Sequence, residues 1–290
     1  MLNVDNRRIQ TGDALTLSMH VAKADLEHCI QSFAVQDIVR YIDQVHWSDE
    51  TDETYETLDA FGRKPLENVA AHSWHVAEMC FFLARHFKAI NRARSVELAM
   101  LHDKLELWTG DWDPVGPDGD GSGSHTFSTL ARRKKEAAES KALTAYLKNM
   151  PADAAQLYGD AFMEMNQACE EASFVKAMDK LQALLFTLWK KNSVLSYEHL
   201  EFTLRYSFKG LQSFRGLSSH YALLHIHALR EHGVQYKISL EKLFEKLREA
   251  EKIKQTMGLG IWLEDLHLLE NQGVESPSFH VSSKNMARSK

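Results

Sequence analysis

Cysteine is scarce. Cys29, Cys80 and Cys169 are the only three in 290 residues, odd in number, scattered and without CxxC spacing. They read as reduced, mostly buried thiols of a cytoplasmic protein. Proline and glycine are also few, five and 14, and with long apolar-periodic stretches this favours a mostly helical chain. Long hydrophobic runs are missing: none approaches the ~20 residues that span a bilayer, and residues 1–16 are polar without an apolar signal core. A membrane is therefore not an expected partner. Positive charge is not in excess. The formal net charge is -6, which argues against extended nucleic acid as a partner and leaves room for a small nucleotide held by a local basic cluster.

What is present is distributed as helices require. The chain is 44% hydrophobic, ample for a core in one large domain or two smaller ones. Residues 1–22 read as a flexible N-terminus. Leu26, Cys29, Ile30, Phe33, Ile38, Ile42 and Val45 approximate an apolar stripe over 23–46, which predicts a helix with a break near Ala34. His46-Trp47 follows, as an ordinary helix end or as the wall of a pocket. Pro65 and Glu67 suit the first turn of the next helix, in which Val69, His72, Val76, Met79 and Leu83 share the inward face and His75 lies toward a flank. A strongly apolar helix follows over 170–188, with Phe174, Val175, Met178, Leu181, Leu185 and Leu188 as its stripe and Asp179 beside Met178. Residues 196–235 and 238–272 are helical again. This divides the chain into a core over 23–195, a C-terminal helical extension over 196–272 and a polar, disordered tail over 273–290.

The chemistry concentrates in residues 99–111. There His102-Asp103 sits in apolar company near the end of a helix predicted over 93–108, with Glu106 four residues past His102 and so on its face. Gly110 ends the helix and Asp111 follows. Each buried ionisable group costs roughly several kcal/mol without a partner, and a cation is a good partner for imidazole and carboxylate. A helix end surfacing into solvent is the alternative for this stretch taken alone. The glycine-rich segment 112–129 imitates the opening of a calcium loop from Asp118 to Gly123, but Thr129 stands where the bidentate Glu belongs. It reads instead as a mobile insert or lid. Arg132-Arg133-Lys134-Lys135 is the densest basic run, either a solvated helix face or the source of one or two phosphate contacts together with Arg63 or Lys64. His220, His225 and His227 have spacings that do not place three ligands on one helix face, so they read as structural or exposed.

In chain order the candidates are His72, His102-Asp103 and Asp179, each on a different helix. This order resembles the HD-domain metal-dependent phosphohydrolases. Residues 67–74, 101–111 and 174–183 are similar to that superfamily's first-histidine segment, its His-Asp helix in the 5′-deoxynucleotidase branch, and its last ligand helix. The resemblance covers roughly residues 60–195. It implies an all-α HD-domain helical bundle, here with extra N- and C-terminal helices. It implies one divalent metal ion (Co, Mn, Mg, Ni, Zn or Fe) held by His72, His102, Asp103 and Asp179. Glu106 and Asp111 would be the catalytic and substrate-facing acids of a phosphomonoesterase acting on (deoxy)nucleoside 5′-monophosphates. A non-catalytic nucleotide-binding or scaffolding protein, or an HD hydrolase of another phosphate ester, is the competing reading. Two departures stand out. The acidic residue that often precedes the first histidine is Ala71 here, and the Arg-Trp pair that helps hold substrate in the bacterial nucleotidases has only Arg63-Lys64 and His46-Trp47 as candidates. The aromatic-rich C-terminal helices are expected to bury a homodimer interface.

Overall fold

The computed structural model describes residues 19–42, 44–47, 66–275 and 277. Of the flexible N-terminus expected over 1–22, residues 1–18 lie outside them, as do residues 276 and 278–290 of the tail expected over 273–290. Among the described residues the chain is all-α, with an isolated antiparallel bridge between Val39 and Asn68 as its strand-like pairing. No helix among the described residues is long and apolar enough to cross a membrane.

Helices α1 (Met19–Ser32), α2 (Val69–Leu83), α3 (Arg92–Leu101), α4 (Glu106–Thr109), α5 (Thr129–Lys148) and α6 (Ala152–Asn166) lead into the apolar helix α7 (Glu170–Lys190). Then come α8 (Tyr197–Ser213), α9 (Ser218–Tyr236), α10 (Leu240–Lys254) and α11 (Leu259–Asn271). The starts are set by side chains that accept orphan backbone N–H groups. Asn68 does this for α2, Asn91 for α3, Ser128 for α5, Ser196 for α8 and Ser239 for α10. At α7 the acceptor is the Cys169 thiol, 3.4 Å from the Ala172 N–H.

One large core runs through α2, α3 and α6 to α11, and Tyr41, Trp47 and Phe186 form a small second cluster. Val76 and Cys80 of α2, Leu98 of α3, and Phe174, Met178, Leu181 and Leu184 of α7 pack with Leu200 and Leu204 of α8. Gly210 permits the close approach of α7, α8 and α9: a Cβ there would lie 2.1 Å from the Tyr221 hydroxyl and 2.6 Å from Lys180 Cβ. Tyr221 uses that space to donate a 2.7 Å hydrogen bond to the Ala177 carbonyl. The stripes of α10 and α11, including Phe244, Leu247, Trp262 and Leu266, join the same core, while Ile253, Ile261 and Leu268 of the same two helices are each more than 60% exposed.

Five expectations need correction. Residues 19–22 already belong to α1, and the break expected near Ala34 ends the helix at Ser32: a 3₁₀ turn follows over Phe33–Asp37, and among the described residues the α-helix does not resume up to residue 46. Its supposed inward stripe is out: Leu26, Ile30 and Phe33 are each more than 60% exposed. What α1 turns toward α6 is His28, whose Nε2 lies 3.1 Å from the Tyr158 hydroxyl; a polar contact set its rotation. The helix over 93–108 is interrupted at the His-Asp pair. The stretch expected over 196–235 is broken after α8, where Arg215–Leu217 forms a 3₁₀ turn before α9. Finally, the segment 112–129 is pinned rather than loose. The Pro114 carbonyl accepts from Ser124 and Thr126, Gln44 donates to Asp113, and the Asp120 carbonyl accepts from Arg205. His46 closes on the Gly119 carbonyl at 2.8 Å while stacking on His199, and Trp47 is buried against Tyr41 and Phe186. The His46-Trp47 pair is thus a structural anchor.

Candidate functional site

The site forms where α2, the end of α3 and α7 meet. Asn68 caps α2 at the Ala71 N–H, 2.8 Å, and one turn later His72 projects into the interior, fully buried. Helix α3 ends at Leu101. Residues 101–108 then run on as tighter turns, with Lys104 N to Leu101 O at 3.0 Å and Glu106 N to Asp103 O at 3.0 Å. The regular helix on which His102 and Glu106 were expected to share a face is therefore interrupted between them. The irregular backbone instead lets His102 and the adjacent Asp103 point to one place, which successive residues of a regular helix do not do.

That place is shared by three helices. His72 Nε2 lies 3.2 Å from His102 Nε2, 3.2 Å from Asp179 Oδ1 and 3.4 Å from Asp103 Oδ2. His102 Nε2 is also 3.2 Å from Asp103 Oδ2. Ligand atoms of His72, His102 and Asp179 lie within 4.8 Å of one another, close enough to hold a metal ion.

The other face of each ring fixes its proton. His102 Nδ1 sits 2.6 Å from the Ala99 carbonyl, which can only accept, so Nδ1 carries a hydrogen. His72 Nδ1 is 2.7 Å from Gln182 Oε1. Gln182 is oriented in turn because its amide donates to Glu67 Oε1 at 2.6 Å. Neutral rings held this way present two Nε2 lone pairs to each other at 3.2 Å. That contact is repulsive unless a proton or a cation lies between them, and two imidazoles with two carboxylates are donors that suit a divalent ion. The residues present therefore fit such a group. Without one, His72 takes the proton: burial and the Arg40 charge pull its pKa down, but Asp179, Glu67 and Asp103 outweigh them and it stands at about 9.

Beneath the pair lies a layer that sequence reasoning missed. Glu67 accepts from Arg40 at 3.1 Å and from Gln182, and its Oε1 is 3.0 Å from His75 Nδ1. Burial would raise this carboxyl, but the hydrogen bonds with His72 and His75 and the Arg40 charge bring it to about 2. Glu67, not Ala71, supplies the acid behind the first histidine. Arg40 also reaches toward Asp111, Nε to Oδ1 3.8 Å. Its only sequence signal is a cation placed on an otherwise apolar stretch. Arg63 and Lys64 lie outside the described residues.

Glu106 and Asp111 complete the cleft wall. Gly110 (φ 71, ψ 167) caps α4, its N–H bonded to the Glu106 carbonyl at 2.9 Å, and that extended left-handed conformation is essentially open to glycine alone. Glu106 is buried and its Oε2 has no hydrogen-bond partner among the described residues. Burial, then the charges of Asp103 and Asp111, hold its pKa well above the usual carboxylate range. Asp111 is raised by burial and by Asp103 against the pull of Arg40. Two lysines approach from the side. Lys180 Nζ is 2.6 Å from Asp179 Oδ2; burial pulls the pKa of Lys135 down, but the neighbouring carboxyls of Glu106, Glu139 and Asp103 together raise it. The side chains of Asp103, Asp111, Asp179, Lys135 and Lys180 are between 15% and 24% exposed, as befits the walls of an open cleft rather than a core.

The arrangement is similar to known proteins. A solved structure from Magnetospirillum magnetotacticum MS-1, described as a predicted metal-dependent phosphohydrolase, superposes with a TM-score of 0.50 at 22% identity, over 73% of this chain and 94% of that one. This is a likeness of fold. No curated protein matches. The family model described as HD domain matches residues 56–213, more than half of the chain and the span that carries both histidines and all the acids of the cleft. By that match and by its all-α architecture, this chain belongs to the HD domain family.

Proposed function

We propose that the chain is a metal-dependent phosphohydrolase and that its substrates are (deoxy)nucleoside 5′-monophosphates, cleaved to nucleoside and phosphate. The observation that carries this reading is the pair of facing Nε2 atoms, flanked by two aspartates and set beside a buried acid, Glu106, with one oxygen left without a hydrogen-bond partner among the described residues. His72, His102, Asp103 and Asp179 would hold one divalent ion. Bound there, it would acidify a water and shield phosphate charge, the chemistry such ions bring to phosphate esters. The remaining work falls to side chains. Glu106, protonated and without a partner for Oε2, gives its proton to the leaving 5′ oxygen. Asp111, steadied by Arg40, orients the attacking water or contacts the sugar. Lys180 and Lys135 offset the charge of the phosphate as it enters a cleft otherwise lined by carboxylates.

The test is phosphate release from ribo- and deoxyribonucleoside mono-, di- and triphosphates with Co, Mn, Mg, Ni and Zn. Release from deoxynucleoside monophosphates, lost in His102→Ala, is expected. Glu106→Gln should keep its metal and lose about 100-fold or more in turnover. Release from triphosphates alone would overturn the substrate. Bound metal with no turnover of any ester would favour a binding protein.

A further inference from the structure

The cleft has a second, more basic end. The loop carbonyl of Thr126 accepts from Lys209 Nζ of α8 and, at 3.5 Å, from Arg132 of α5. The next residue, Phe127, has the Arg205 guanidinium 4.1 Å and Lys209 Nζ 5.1 Å from its ring centre. Arg205 is answered by Glu201 at 3.6 Å, Lys135 by Glu139 at 3.6 Å and Lys180 by Asp179. Lys209 and Arg132 have no carboxylate within ion-pair distance among the described residues. Their shared partner is a neutral carbonyl, in a chain whose net charge is -6. Unbalanced positive charge of this kind focuses anions.

The field of the cluster is felt by its neighbours. Burial lowers His125, and Lys135, Lys180, Lys209 and Arg132 take it further, to about 3. Lys209 is itself brought to about 8 by burial, Arg132, Lys180 and Arg205. Lys180, which touches Asp179, and Lys135, which acts on Glu106, belong to both groups. The basic end therefore begins where the proposed metal centre stops.

We propose that Lys209 and Arg132 form a second anion subsite, and that the substrate is a phosphate ester with a further anionic group, phosphate or carboxylate, besides the phosphate that is cleaved. This rests on the phosphohydrolase reading and narrows it, from nucleotides in general to those with two separated anionic groups. The basic run at 132–135 then divides its labour. The exposed Arg132 sends its guanidinium to the Thr126 carbonyl and the half-buried Lys135 pairs with Glu139, while Arg133 and Lys134 stay on the exposed side of the run.

Calorimetric binding to the full chain tests it, with manganese present and Glu106→Gln as the parent so that ligands survive. The ligands are deoxyadenosine 5′-monophosphate, its 3′,5′-bisphosphate and a 3′-O-carboxymethyl 5′-monophosphate. The bisphosphate should bind about tenfold more tightly than the monophosphate, as one charged hydrogen-bonded contact allows. That ratio should fall to about one in Lys209→Met and drop in Arg132→Met, and persist in Lys209→Arg, which keeps both the charge and a donor for Thr126. A carboxymethyl analogue matching the bisphosphate supports a site for any anion; one matching the monophosphate supports a phosphate site. Equal affinities in the parent, or a ratio untouched by both methionine variants, would overturn the subsite. Phosphate release by the unmutated chain is scored separately. Its absence with the tenfold ratio intact would sink the hydrolase reading alone.

Discussion

Gln182 holds the first histidine by one oxygen. Its carbonyl faces His72 at 2.7 Å and its amide faces Glu67 at 2.6 Å, so ring, amide and carboxylate share one direction of donation. Gln182→Leu should cost 10- to 100-fold, roughly, in metal affinity, as loss of an outer-sphere partner does, while His72 itself stays in place. Competition with a chelator reads this directly. A second expectation follows from the proton on His72. In the metal-free protein its pKa of about 9 lies above neutrality, so an ion must displace that proton to bind. Below pH 9 each ion bound releases one proton from His72, and apparent affinity climbs about tenfold per pH unit until it levels off there. Calorimetry in buffers of different ionisation enthalpy counts the protons. A pH-independent affinity between 6 and 8 would contradict the assignment. His72, His102, Asp103 and Asp179 were legible because ionisable side chains on apolar helices need an explanation. Gln182 and Glu67 were not, since a neutral amide and a first-turn glutamate each have an ordinary reading, and their function exists only once α2 and α7 lie side by side.

At the scale of elements, sequence periodicity located α2 and α7 and the helical character of 196–272, but missed the break between α8 and α9 and misjudged two places where tertiary contacts outrank local pattern. Helix α1 exposes its best apolar stripe, because periodicity reports which residues share a face and not which face finds a partner. The interruption after Leu101 was hidden for the opposite reason: Lys104, Leu105 and Glu106 are good helix formers, and the break is imposed by the convergence of His102 and Asp103. Gly110 was read correctly as a stop, and its conformation makes a prediction. Although a Cβ there would meet nothing within 4 Å, Gly110→Ala should cost about 1–3 kcal/mol through backbone strain alone. Denaturant unfolding measures that cost, and turnover should fall with it because Asp111 is the next residue. Thiol reactivity probes a different element. Cys29 is exposed, whereas Cys80 is buried within α2 and its pKa is pushed up to about 12 by that burial. A native chain treated with a disulfide reagent near pH 8 should therefore be modified at Cys29, with Cys80 reacting only on unfolding.

Across the whole molecule, three helices are tied by one buried line of hydrogen bonds. Trp262 of α11 donates to His225 Nδ1 of α9 at 2.9 Å, His225 Nε2 lies 2.7 Å from Ser207 of α8, and Ser207 donates to the Thr203 carbonyl at 2.6 Å. Indole can only donate, so Nδ1 accepts and the ring proton must sit on Nε2. Burial keeps that ring neutral, with its pKa at about 3. Trp262→Phe would leave Nδ1 buried and unpaired, at a cost of about 1–3 kcal/mol, seen as a lower denaturation midpoint. Of the three histidines read from spacing as structural or exposed, two are structural: His225 in this line, and His227, which pairs inside with Ser193 at 2.7 Å. Helix α8 carries Ser207 for this line and Arg205 and Lys209 for the loop beside the cleft, so the last helices and the loop share a single support.

The locked proton on His225 also has a spectroscopic life. A ring hydrogen held between two fixed partners and shut off from solvent exchanges slowly, so it should give a sharp, downfield line in the proton spectrum of the native chain, at a frequency where unfolded protein is silent. Labelled imidazole nitrogens would show the two ring atoms as one protonated and one bare, unchanged from pH 5 to pH 8. Followed during refolding, the appearance of that line would time the docking of α11 onto α9, and its disappearance under mild denaturant would tell whether the C-terminal helices leave before the cleft does.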